Sequence, residues 1–62
     1  MDRVPAQMLL VNDILSPDGE IRVIGSEKSP DGFMITLTLM IGDKEHKTHL
    51  AYDVKVPIYN YT

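Results

Sequence analysis

His46 and His49 are the first residues whose types could do chemistry, because neutral imidazole is the commonest metal ligand. Three residues apart on a strand they fall on opposite faces, since side chains alternate with period 2. A zinc centre also needs three or four ligands, and the chain has no cysteine to complete one. The pair therefore reads as two solvent-exposed histidines. Nucleophilic catalysis requires a Ser, Thr or Cys beside a base. Ser16, Ser26 and Ser29 all lie next to turns, where capping accounts for them. Asp18, Asp31 and Asp43 are turn carboxylates that accept local backbone hydrogen bonds. Asp13, near apolar Val11 and Ile14, reads the same way. The four glycines are isolated, so there is no phosphate-cradling loop. No catalytic residue, metal or cofactor is expected, and 62 residues are too few to enclose a pocket in the usual range of about 300–1,000 Å³.

Residues suited to binding are easier to find. Met34 and Met40 share the second face of an apolar stretch, either as packing or as an adaptable contact surface. Tyr59 and Tyr61 bracket Asn60 near the end of the chain, and tyrosine combines apolar area with a polar tip suited to interfaces. These four residues form the expected protein-binding set. Nucleic-acid binding is the alternative, and it would need Arg22, Lys44, Lys47 and Lys55 to converge on one face. The net charge of −3 works against it, because an acidic surface repels phosphate backbones. Nor do the basic residues cluster along the sequence.

The elements that must position these residues are short. A chain of 62 residues allows one domain. Such a domain buries only about 60% of the surface its unfolded chain exposes, and its core supplies no more than roughly 3–5 kcal/mol. With a hydrophobic fraction of 44% and a charged fraction of 24%, the chain is globular rather than disordered. The N-terminus lacks the basic start and apolar run of a signal peptide, and no apolar run approaches the roughly 20 residues of a membrane span. The expected compartment is the cytoplasm.

Turn signals divide the chain at regular intervals: Pro17-Asp18-Gly19, Pro30-Asp31-Gly32 and Gly42-Asp43. Short runs between such turns indicate a small all-β domain. The clearest strand runs from Phe33 to Ile41, with Phe33, Ile35, Leu37, Leu39 and Ile41 on one face and Met34, Thr36, Thr38 and Met40 on the other. The preceding strand starts near Glu20, and its alternation breaks at Gly25, which marks a bulge or bend. Residues 44–50 form a polar strand near the surface or at an edge. Val54, Val56 and Ile58 form an inward face, with Pro57 confining that strand to an edge. Ala51-Tyr52-Asp53 is short enough for a single 3₁₀ turn. Val4 to Val11 is a short strand or one helical turn. No internal repeat is evident.

This order of strands and turns resembles the small SH3-like barrels found in bacterial and phage proteins. Ala6, Leu9, Asp13 and Ile14 fill the opening positions of the pattern. Gly19, Val23, Asp31-Gly32, the Phe33–Ile41 strand, Gly42 and Tyr52-Asp53-Val54-Lys55-Val56 follow. The resemblance implies an all-β fold, a small five-stranded SH3-like barrel with a short 3₁₀ turn before the last strand. Translation-factor barrels of similar shape carry a basic surface or a modifiable lysine at a loop tip, where this chain has acidic turns.

The expected function is thus a small protein-interaction module, of phage or accessory-gene type, that binds a protein partner or itself as a homodimer. A nucleic-acid-binding barrel of translation-factor or cold-shock type is the alternative. No membrane and no small-molecule substrate is implied.

Overall fold

The computed structural model describes residues 2–59, and they form an all-β fold. The described elements are β1 (Asp2–Pro5), a 3₁₀ helix (Ala6–Met8), β2 (Ile21–Lys28), β3 (Met34–Ile41), β4 (Lys44–Ala51) and β5 (Lys55–Ile58). The strands make two antiparallel sheets, β1-β5 and β2-β3-β4. No helix among the described residues is long and apolar enough to cross a membrane.

The three-stranded sheet follows from its turns. Gly42 and Asp43 join β3 to β4 through a two-residue loop, with Ile41 opposite Lys44. Gly42 has φ 62° and Asp43 does not have positive φ, the signature of a type II′ turn, whose twist matches that of paired strands. β2 and β3 are joined through Ser29-Pro30-Asp31-Gly32, with Gly32 at φ 80°. The register of β2 on β3 shifts between Val23 and Gly25, so Ile24 is the extra residue of a β-bulge. The bulge lies beside the glycine that interrupts the alternation in sequence, and it bends β2 across the core.

Ala6, Leu9, Val23, Ile35 and Leu37 are the buried core, and Val4, Leu15, Leu39, Leu50, Tyr52, Val56 and Ile58 pack around it. The inner face of β3 thus carries Ile35, Leu37 and Leu39, as its alternation predicts. The Cα envelope measures 33 × 25 × 14 Å. Packed sheets lie about 10 Å apart, so the thin dimension holds a single layer of core side chains.

Two sets of backbone hydrogen bonds join the sheets. On one side Ile14 bridges to Arg22 of β2, and its carbonyl accepts the Tyr59 N–H at 2.8 Å. On the other, Gln7 N–H donates to Tyr52 O at 3.1 Å and Tyr52 N–H to Phe33 O at 3.0 Å, while Ala6 N–H to Val54 O at 2.8 Å continues the β1–β5 ladder.

Three expectations are corrected. The 3₁₀ helix lies at Ala6–Met8, directly after β1, and not before the last strand. Between β4 and β5 there is instead a turn closed by Val54 N–H to Ala51 O at 3.2 Å. The Tyr52 and Val54 carbonyls there accept bonds from the 3₁₀ segment, which fixes the conformation non-locally. Phe33 does not join the inner face: it precedes β3 and is 62% exposed. Val54 likewise stands outside β5 and is 41% exposed. Val4 to Val11 contains both of the structures expected as alternatives, the end of a strand and then one 3₁₀ turn.

Candidate interaction surface

The turn before β3 sets the surface in place. Ser29 Oγ donates to Asp31 Oδ1 at 2.5 Å and accepts the Met34 N–H at 3.1 Å, while Asp31 Oδ1 also accepts the Phe33 N–H at 3.0 Å. With Gly32 N–H bonded to Ser29 O at 2.9 Å, the turn is satisfied internally. Phe33 is the first residue beyond it, held by its backbone with the ring directed to the surface. Asp31 accepts from the Ser29 hydroxyl and from the Phe33 N–H, and these bonds hold its carboxyl below the usual carboxylate range.

The Phe33 ring packs at a tilt on Tyr52, with centroids 6.1 Å apart and planes at 57°. That separation lies within the favourable range for aromatic pairs. Phe33 O accepts the Tyr52 N–H at 3.0 Å, and Tyr52 O accepts the Gln7 N–H. Val54 O accepts the Ala6 N–H. These bonds draw three segments together at one end of the fold. They carry Met8 (62% exposed), Phe33, Met34 (41% exposed) and Val54. Leu10 and Val11 continue the exposed apolar series from the 3₁₀ segment, while Leu9 between them and Met8 is buried. Single exposed apolar side chains are ordinary; several on segments bonded to one another make this end the candidate surface.

Met34 and Met40 do share the outer face of the three-stranded sheet, with Thr36 and Thr38 between them. Six strand positions separate them, about 20 Å, so only Met34 belongs to the apolar end. Met40 is half-buried, opposite Glu45 and Arg22. Tyr59 is half-buried just after β5, with its N–H on Ile14 O. Tyr61 lies outside the described residues. Met8, Phe33 and Val54 are missing from the set expected from sequence. What they share is a position outside the strands, where alternation no longer reports burial.

The basic residues do not gather. Arg22 and Lys47 lie on the outer sheet face, where Glu45 and Glu27 share the rows. Lys44 is on the opposite parity of β4, and Lys55 is on β5 of the other sheet. His46 and His49 fall on opposite faces as their spacing predicts: His46 pairs with Leu39, and His49 pairs with Thr36, whose Oγ1 lies 2.8 Å from its Nδ1. Among the described residues no group of three or more His, Asp or Glu is placed to hold a metal ion. Asp13 Oδ2 accepts the Leu10 N–H at 2.9 Å, the turn role expected of it. Ser16 and Ser29 cap their turns, whereas Ser26, expected beside a turn, lies within β2 opposite Leu37.

No protein-family model matches the chain, and none of the curated proteins or solved structures compared with it matches either.

Proposed function

We propose that this chain is a small SH3-like barrel that serves as a protein-interaction module, not an enzyme, and that its docking surface is the apolar end built from Met8, Phe33, Met34 and Val54. The barrel reading is supported by the backbone bonds that bridge the two sheets on both sides, through Ile14 on one and through Gln7 and Tyr52 on the other. The observation that carries the functional reading is the 62% exposure of Phe33 while its backbone N–H and carbonyl are both bonded and its ring rests on Tyr52. A large aromatic presented on a rigid frame loses little conformational freedom on binding, which is what makes aromatics effective interface anchors. The partner that fits is a protein presenting apolar side chains.

The experiment compares immobilised wild type with a Phe33→Ser/Val54→Ser double variant after unfolding curves establish that both are folded. A partner retained by the wild type and lost by the variant supports the reading. Equal retention by both moves the docking surface elsewhere.

A further inference from the structure

We propose that β4 is a self-complementary edge that pairs antiparallel with β4 of a second copy, about a two-fold axis at His46, to give a continuous six-stranded sheet. Among the described residues β4 pairs only with β3. The Tyr52 N–H donates to Phe33 O directly opposite it, so by alternation Leu50, Thr48, His46 and Lys44 direct their backbone groups at β3. The N–H and C=O of Glu45, Lys47 and His49 therefore point away from the sheet, and Lys44 to Lys47 and His49 are exposed.

An antiparallel partner must place outward-facing residues opposite one another to form a hydrogen-bonded pair. Few symmetric registers satisfy this. Centring on Glu45 or on Lys47 would put identical charges in direct opposition, which destabilises a strand pair. Centring on His46 satisfies the backbone parity and places each Glu45 opposite the partner's Lys47. Lys44 then faces the partner's Thr48. Neither Glu45 nor Lys47 has an ion-pair partner within the chain among the described residues. Charges on an edge strand normally discourage pairing; here their order discourages the registers centred on Glu45 and Lys47, while centring on Thr48 sets Lys47 opposite His49 and leaves Glu45 opposite Ala51, without the Glu45–Lys47 pairs that favour the His46 register.

The competing edges are less open. β2 is occupied over Val23 and Ile21 by bonds to Asn12, Asp13 and Leu15, and is then bent by its bulge. β5 carries Pro57, which has no N–H to donate.

A five-residue seam buries less than the roughly 1,200 Å² of a stable interface, so the dimer forms at high protein concentration. It is independent of the apolar end, and the two are tested separately. Sedimentation or NMR diffusion is measured over a dilution series for wild type, Glu45→Lys, Lys47→Glu, an equimolar mixture of those two variants, and the double swap. By symmetry each single variant creates two like-charge oppositions, and the association constant should fall by at least about tenfold. The mixture should restore association as a heterodimer, and the double swap should restore the homodimer. Wild type that stays monomeric to about 1 mM overturns the proposal. So does a dimer unaffected by the single variants, or a loss that neither the mixture nor the double swap restores.

Discussion

The hydroxyl of Ser29 donates to the carboxylate of Asp31 at 2.5 Å, and the same bond recurs between Ser16 and Asp18 at 2.6 Å, thirteen residues earlier. The copies agree throughout. In each, the serine oxygen accepts the N–H of the residue five positions on, Ile21 or Met34. In each, the aspartate accepts the N–H two positions on, Glu20 or Phe33. In each, a glycine with φ near 80° closes the turn onto the serine carbonyl. The same Ser-Pro-Asp-Gly turn device is thus used twice, at the two ends of the β2 strand.

Ser29→Ala should destabilise the fold by about 1 kcal/mol, because it removes both the donor to Asp31 and the acceptor of the Met34 N–H. Ser16→Ala should cost a similar amount. The two turns share no hydrogen-bond partner, so the double variant should show close to the sum. Urea unfolding midpoints at constant slope check both statements.

The same turns set the acid limb of stability. Asp18 is held below the usual carboxylate range chiefly by the Ser16 hydroxyl and then by the Glu20 N–H, and Asp31 by Ser29 and Phe33. A carboxyl whose folded value is depressed contributes stability that is fully present above its unfolded value of about 3.9. That contribution is lost as pH falls through the lower folded value. Stability should therefore hold near neutrality and decline on acidification through this window. In the Asp18→Asn/Asp31→Asn variant the decline should be shallower, as read from unfolding midpoints at a series of pH values.

Glycine substitutions should separate by backbone conformation. Gly19 and Gly32 have φ of 78° and 80°, where a side chain is strained even in open space. Alanine at either position should cost roughly 1–2 kcal/mol. At Gly25 no positive φ applies, and an added Cβ would meet Thr38 Cβ at 3.5 Å, an ordinary contact. Gly25→Ala should leave the thermal midpoint within a few degrees of wild type, although this glycine borders the bulge. A large loss at Gly25 with none at Gly19 would contradict the assignment.

Leu37→Ala should leave little folded protein. Leu37 is 1% exposed at the centre of the core. Truncating a buried leucine costs about 2–5 kcal/mol, comparable to the roughly 3–5 kcal/mol a core of this size supplies. Circular dichroism and one-dimensional NMR at room temperature read the result. Phe33→Ser, at an exposed position, should remain folded in the same assay.

How much of this is legible in the sequence depends on how local each cause is. Gly42-Asp43 and the two Pro-Asp-Gly turns are set by steric limits on φ and by hydrogen bonds spanning a few residues, so their residues specify them. The alternation that buries Ile35 and Leu37 and exposes Met34 follows from strand pleating, and the break at Gly25 marks the bulge beside it. The opposite faces of His46 and His49 have the same origin. Only the tertiary structure decides the rest. The 3₁₀ turn forms after β1 rather than before β5, and there Ala6 and Gln7 donate to carbonyls more than forty residues away in sequence. Phe33 and Val54 continue an apolar alternation in sequence, but each lies one step outside its strand, where the core has ended and the chain is turning. Which apolar residues face solvent together is a matter of which strand ends are bonded to one another, and local residue preference carries no record of those long-range bonds.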